Sequence, residues 1–362
     1  MRFDKIILGG CVLFIGQQAC IKQIDVVTRN EKPILVLEGS VTTDSVPYTV
    51  KLTYSGPIKS SENIPDQYIE KDAKVTITDN LGNATALVYT TGGTYQTTDV
   101  AYIGKVGRSY SVSVVLKDGR KFISTPEKIS PAVPVSKVNV DFVDHFDFNF
   151  PTYMNVSVDT KDPAAEENYY RWTFETWVLR QTKGVSCGNQ CIAFEYCYQR
   201  FLENEVRLLS DASINGNDIK HQLVGRCYIY TYGNPLIDIG QVSLTREAYQ
   251  FWKRYQEQLT RTGSILDPLP AAIKGNVFNA ANTNEFALGY FSASAITHKK
   301  AMLIPFSITP YQLELSATQF IPAKPVACFD YFPNTLAYPY TPGLLFLSPP
   351  GWENAEQIKV FW

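Results

Sequence analysis

Charge is sparse in this 362-residue chain, and what there is cancels: 33 Lys plus Arg stand against 35 Asp plus Glu, a net charge of −2. A surface without a basic field attracts neither nucleic acid nor an acidic membrane. Histidine is nearly missing. His145, His221 and His298 lie far apart in the sequence, so imidazole-based metal or nucleophile chemistry has little to build on. Catalytic frames are missing too: there is no G-x-S-x-G elbow, no H-E-x-x-H, no phosphate-cradling G-x-x-x-x-G-K and no G-x-G-x-x-G opening a helix. The Asp-containing text around Val143-Asp-His-Phe-Asp-Phe-Asn lacks the D-x-[DN]-x-[DN]-G spacing of a calcium loop. The expectation is a non-enzymatic protein with no catalytic residues, no metal site and no cofactor. Beyond residue 20 no stretch reaches the ~18 consecutive apolar residues of a membrane-spanning helix.

What is present is apolar and aromatic. Hydrophobic residues make up 45% of the chain, with 22 Tyr, 20 Phe and 5 Trp, which excludes disorder over any large fraction. At roughly 150 residues per domain the length predicts about two domains, each able to bury its own core.

The first twenty residues read as an address. Arg2 and Lys5 make a short positive start, and residues 6–15 are an apolar run too short to span a bilayer but right for a signal-peptide core. The run ends at Gly16-Gln-Gln-Ala-Cys20, with a small residue directly before a cysteine. Lipoprotein processing needs that arrangement, because lipid is attached to the thiol before cleavage in front of it. Residues 1–19 are therefore expected to be a lipoprotein signal peptide and Cys20 the lipidated first residue of the mature chain, although Gln17 and Gln18 depart from the usual pattern. Ordinary secretion, with Cys20 as one more thiol, is the alternative.

Five further cysteines remain after Cys11 and Cys20: Cys187, Cys191, Cys197, Cys227 and Cys328. The first three form C-x3-C-x5-C without a nearby histidine, which does not match the paired C-x2-C of zinc ribbons. In an exported protein these five are disulfide candidates. Cys197 and Cys227 both sit in strand-like aromatic text and are plausible cross-strand neighbours; a link between Cys187 and Cys191 is equally open. Five is odd, so at least one thiol is free or bonded to another chain.

Residues 33–130 alternate with period two in short runs, such as Tyr48-Thr-Val-Lys-Leu-Thr-Tyr and Val75-Thr-Ile-Thr-Asp, broken by Gly, Pro, Asn and Asp. Tyr110-Ser-Val-Ser-Val-Val-Leu meets Asp118-Gly119 and returns as Lys121-Phe-Ile-Ser, a strong hairpin signal. The fold class is mainly β, with an immunoglobulin-like β-sandwich over residues 20–130. Prolines between 126 and 134 place a boundary near residue 131. A second β-rich domain, 131–362, carries one prominent α-helix at about 244–262. Ser243 is its candidate N-cap, and Leu244, Ala248, Trp252, Tyr255 and Leu259 form one packing face. The C-terminal tail, rich in Pro and aromatics, is expected to be irregular. Its residues Phe329, Tyr331, Phe332, Tyr338 and Tyr340 are the candidate partner-contact surface, since aromatics are enriched at interfaces.

The text Ser243-Leu-Thr-Arg-Glu-Ala-Tyr-Gln-Phe-Trp-Lys, then Gly263-Ser-Ile-Leu-Asp-Pro-Leu-Pro-Ala, Gly275-Asn-Val and Leu288-Gly-Tyr-Phe-Ser-Ala-Ser, resembles a Bacteroidota lipoprotein family, domain of unknown function 4249. Tyr102-x-Gly104-x-x-Gly107-x-x-Tyr110 and Cys197-Tyr198 extend the resemblance over nearly all of the mature chain. It implies a lipid-anchored outer-membrane protein, facing the cell exterior, whose partner is an outer-membrane β-barrel of the TonB-dependent transporter type. Two other roles are an accessory subunit of the outer-membrane barrel-assembly machinery and a stand-alone glycan-binding or adhesion lipoprotein. The family has no established catalytic residues to carry over.

Overall fold

The structure, a computed structural model, describes residues 33–360 apart from 45, 57–63, 144–152, 165, 182–184, 187–191, 194–195, 229–233, 261–271, 306–334, 338–351 and 353. The chain is mainly β, with a single α-helix among the described residues.

The first eight strands are β1 (Leu35–Thr42), β2 (Thr49–Tyr54), β3 (Lys74–Asp79), β4 (Ala84–Tyr89), β5 (Thr94–Thr97), β6 (Ser109–Val115), β7 (Lys121–Ser124) and β8 (Glu127–Lys128). Their alternation is that of a half-buried sheet. Tyr110, Val112 and Val114 point into a core with Leu37, Val50, Ile77 and Phe122, while the serines between them face outward. The hairpin read at Asp118-Gly119 is there: β6 pairs with β7, and Gly119 has φ +87°, the left-handed region glycine tolerates.

After β8 come β9 (Val135–Val143), β10 (Tyr153–Lys161), β11 (Tyr169–Gln181), β12 (Val185–Ser186), β13 (Ile192–Ala193), β14 (Tyr196–Leu202), β15 (Arg207–Ser210), β16 (Asp218–Tyr228) and β17 (Leu236–Leu244). The helix α1 (Arg246–Leu259) follows, then β18 (Lys274–Asn279), β19 (Phe286–Ser294), β20 (Ile296–Pro305), β21 (Thr335–Ala337) and β22 (Glu356–Val360).

The amino-terminal strands do not complete their own sheet. The order is β3-β4-β5-β2-β1-β19-β18-β7-β6-β8, and a β3–β6 pairing joins the ends so that nine strands make a barrel-like ring. One closed sheet replaces the two separate sheets of the expected immunoglobulin-like sandwich. Two of its strands, β18 and β19, come from beyond the boundary expected near residue 131, so that boundary does not separate two units that are contiguous in sequence. The physical reason is edge closure: β19 runs parallel to β1 and β18 antiparallel to β7, pairing backbone groups that would otherwise be left open. Glycine makes the approach possible. Gly289 has φ +83°, and a Cβ there would lie 2.1 Å from the Leu37 carbonyl oxygen; a Cβ at Gly275 would lie 1.6 Å from the Gly289 oxygen.

Apart from a separate two-stranded sheet, β12-β13, the remaining strands form a three-stranded sheet, β16-β10-β9, facing a seven-stranded one, β21-β14-β11-β17-β20-β22 with β15 beside β11. Their shared core holds Met154, Val156 and Val158 from one side and Tyr170, Trp172, Phe174, Ile237 and Ile239 from the other. This is where two β layers pack face to face.

Thr245, not Ser243, caps α1, accepting a hydrogen bond from the Ala248 N–H. Ser243 is taken by the junction between the two units: its hydroxyl lies 3.1 Å from the Ser130 carbonyl and accepts from the Ala295 N–H. The expected packing stripe is also corrected. Ala248 and Phe251 are buried, Trp252 is half-buried, and Tyr255 (39% exposed) and Leu259 (55%) leave the core. The helix buries side chains from its first half, and from its second half Gln256 donates a hydrogen bond to the Val206 carbonyl.

One buried carboxylate fastens these parts. Glu127, on β8, accepts hydrogen bonds from the Thr245 hydroxyl (2.6 Å), the Tyr290 hydroxyl (2.6 Å) and the Asn276 amide (3.3 Å). The Glu127 carboxyl thus lies one hydrogen bond from the N-cap of α1, at the helix end whose dipole favours negative charge. Burial raises the Glu127 carboxyl above the usual carboxylate range, and the three hydrogen bonds oppose that rise.

Candidate functional site: a cleft between the helix and the barrel wall

The second half of α1 overhangs the outer face of the barrel and leaves a cleft of about 680 Å³, within the range of small-molecule sites. The wall is built by strand alternation. Val36 and Leu288, on the paired strands β1 and β19, face outward into the cleft while Leu37 goes to the core. Phe251 and Trp252 form the roof, and Ile273 and Tyr290 close one side.

Arg171 brings the one deep charge. On β11 its neighbours Tyr170 and Trp172 point into the sandwich core, which places Arg171 on the opposite face, under the helix. Its guanidinium carbon lies 3.9 Å from the centre of the Trp252 ring, a close cation–π contact. Its Nε is shut off from solvent and has no hydrogen-bond partner. No carboxylate pairs with it among the described residues, whereas Arg108, Arg120, Arg200, Arg207 and Arg226 each have one. Burial pulls its pKa down to about 10, which still leaves it a cation at neutral pH. At the rim Lys51 and Glu38 are opposite each other in the β1–β2 register, so their charges offset. The cleft is thus apolar with one uncompensated positive charge.

A second cluster ties the two units together beside β1. His298 on β20 has Nδ1 2.9 Å from Asp238 and Nε2 3.0 Å from Asp44. The hydrogen bond to Asp238 leads in raising its pKa to about 9, against the opposing effect of burial. His298 is therefore an imidazolium held between two carboxylates.

Most residues singled out from the sequence fall elsewhere. Cys20, Cys187, Cys191, Cys328, Phe329, Tyr331, Phe332, Tyr338 and Tyr340 lie outside the described residues. Cys197 has its backbone on β14, paired with β11 and β21, while Cys227 is on β16 of the other sheet, so the two are not cross-strand neighbours. Cys227 is a free, buried thiol; burial pushes it up to about 12, while a hydrogen bond with Thr176 acts the other way. Arg171 and Glu127 were not anticipated. The only sequence signal was a charge inside otherwise apolar strand text, Tyr169-Tyr-Arg-Trp-Thr-Phe for one and the proline-flanked Thr125-Pro-Glu for the other.

Fold and site together define a mainly β protein of two sheet systems interleaved along the sequence, carrying a half-apolar cationic cleft beside the helix. The chain belongs to the family described as Domain of unknown function (DUF4249), whose model matches residues 21–300. No curated protein matches it. Among solved structures it is similar to a tetra-tandem repeat in the extending region of a large adhesion protein, at 13% identity and a TM-score of 0.15. That match covers 57% of this chain and 45% of the other, less than half of the solved chain's length. The motifs that carried the family resemblance have structural work here. Ser243, Thr245, Asn276 and Tyr290 all belong to the junction around Glu127 and Ala295.

Proposed function

We propose that this chain is a non-enzymatic outer-membrane lipoprotein, anchored by lipid on Cys20 and facing the cell exterior. In this role it docks on an outer-membrane β-barrel of the TonB-dependent transporter type, and the cleft under α1 is its recognition site. The observation that carries the reading is the Arg171 guanidinium, unpaired among the described residues and held against Trp252 in a largely apolar cleft. A buried cation without a partner costs stability, and a ligand's negative charge would offset that cost. The two sheet systems, joined through Glu127 and His298, give the cleft a stiff frame. Membership of the family supports the cellular setting.

The test is a mild-detergent pull-down of the tagged protein from its native outer membrane, with mass spectrometry of what accompanies it. A stoichiometric transporter barrel is the expected result. Recovery of the barrel-assembly machinery instead would move the role from transport to assembly. Recovery of the protein alone would overturn docking and bring glycan binding forward. Cys20→Ser should release the protein from membranes, and continued tight association would remove the anchor from the proposal.

A further inference from the structure

The cleft's chemistry narrows its ligand further, taking as its basis the reading of this cleft as a recognition site. The geometry points to an apolar monocarboxylate as that ligand, its carboxylate on Arg171 and its apolar body between the α1 rings and the barrel wall. Three observations combine. Among the described residues the cation is single: Lys51 faces Glu38 across the β1–β2 ladder, which leaves Arg171 alone to be neutralised. A singly charged ligand matches that, whereas a phosphate dianion would leave negative charge uncompensated beside Glu38. The donor is a fork: one guanidinium face lies on Trp252 and Nε is shut off from solvent, which leaves the in-plane Nη1 and Nη2 N–H groups to a ligand. A planar carboxylate accepts two parallel hydrogen bonds from that edge. Val36, Leu288, Ile273, Phe251 and Tyr290 give the cleft an apolar stretch beside the neutral polar Ser40, Thr49, Thr94 and Ser292, and that stretch rewards an apolar body.

Such a group occurs on a free organic acid and at the C-terminus of a peptide ending in an apolar residue. Isothermal titration of the purified full chain separates them. The probes are 4-phenylbutyrate, its neutral counterpart 4-phenylbutanol, and a tripeptide ending in Phe with a free or an amidated C-terminus. The acid is expected to bind at least about tenfold tighter than the alcohol, the discrimination typical of a hydrogen bond to a charged group. Arg171→Leu should bring the acid down to the alcohol's affinity and leave the alcohol unchanged. Arg171→Lys should recover part of the difference, because charge returns without the fork. Tighter binding of the free-ended tripeptide than of phenylbutyrate would make a peptide terminus the source; the reverse would make it a free acid. Equal affinity for acid and alcohol in the parent chain, or no acid binding, would overturn the inference without any variant. So would an Arg171→Leu chain that melts like the parent and still prefers the acid. Co-purification of a barrel with no acid binding would remove only this inference, whereas acid binding without a barrel would remove only the docking proposal.

Discussion

Truncating Glu127 to Ala tests the claim that one carboxylate fastens the barrel to the helix. The side chain is 3% exposed and takes hydrogen bonds from Tyr290 and Thr245 at 2.6 Å each, with Asn276 at 3.3 Å. Ala would leave these donors facing an apolar void and remove the charge at the α1 N-terminus. Hydrogen bonds to charged groups contribute about 1.5–3 kcal/mol, so the two short ones set the loss at about 3–6 kcal/mol. That is a large part of the ~5–15 kcal/mol that holds a typical domain. At roughly 2 °C per kcal/mol for a chain of this size, the melting temperature should fall by at least about 6 °C. Glu127→Gln separates charge from hydrogen bonding, since it keeps one acceptor oxygen without the cost of burying an anion; its loss should be smaller. The pH dependence has a defined sign. The folded carboxyl titrates above its unfolded value, so the folded state holds that proton more tightly. The contribution is greatest below the unfolded value of ~4.3 and declines as pH rises through the folded one. Glu127→Gln should remove that decline. The assay is thermal unfolding of parent, E127A and E127Q followed by circular dichroism across acidic to neutral pH. An E127A midpoint within about 2 °C of the parent would refute the reasoning.

His298→Gln should flatten the fall in melting temperature that the parent shows at alkaline pH. The imidazole is raised to about 9 by Asp238 and Asp44, so its contribution is complete below ~6.5 and lost as pH rises through about 9; identical slopes in both proteins would contradict the clasp. Gly289→Ala combines a φ of +83° with a Cβ 2.1 Å from the Leu37 oxygen, and should lower stability by at least ~2 kcal/mol in a urea titration. An unchanged midpoint would mean that β1 and β19 do not approach as described. Cys227 should resist a thiol reagent at pH 8 in the native protein and react once it is unfolded, being buried with its pKa pushed up to about 12. Rapid native labelling at Cys227, located by peptide mapping, would count against its place in the core.

Local patterns in the sequence reached a long way. Alternation located β1 to β4, β6 and β7, the Asp118-Gly119 turn located the β6–β7 hairpin, and the period of Ala248 and Trp252 located the helix; the four-residue β5 was not read. The failures came where a residue's role depends on a distant partner. Ser243 has the chemistry of an N-cap, and Thr245, two residues on, has it equally; the choice was made by Ser130 and Ala295, which claim the serine. Tyr255 and Leu259 continue the helical period, but Tyr255 faces the open cleft and Leu259 is exposed.

 

What the sequence determined by itself is everything set by neighbours within a few residues: the mainly β character, the turns, the amphipathic helix α1 and the shortage of catalytic frames. Side-chain period and backbone preference act locally, so they can be read locally. Only the tertiary structure decided that β18 and β19 complete the first sheet, that Glu127 meets Thr245 from 118 residues away, and that Arg171 comes to lie against Trp252. These facts follow from the pairing of strand edges and from close approaches that Gly275 and Gly289 permit. Such pairings are chosen by the energy of the whole packed chain, which no short stretch of sequence contains.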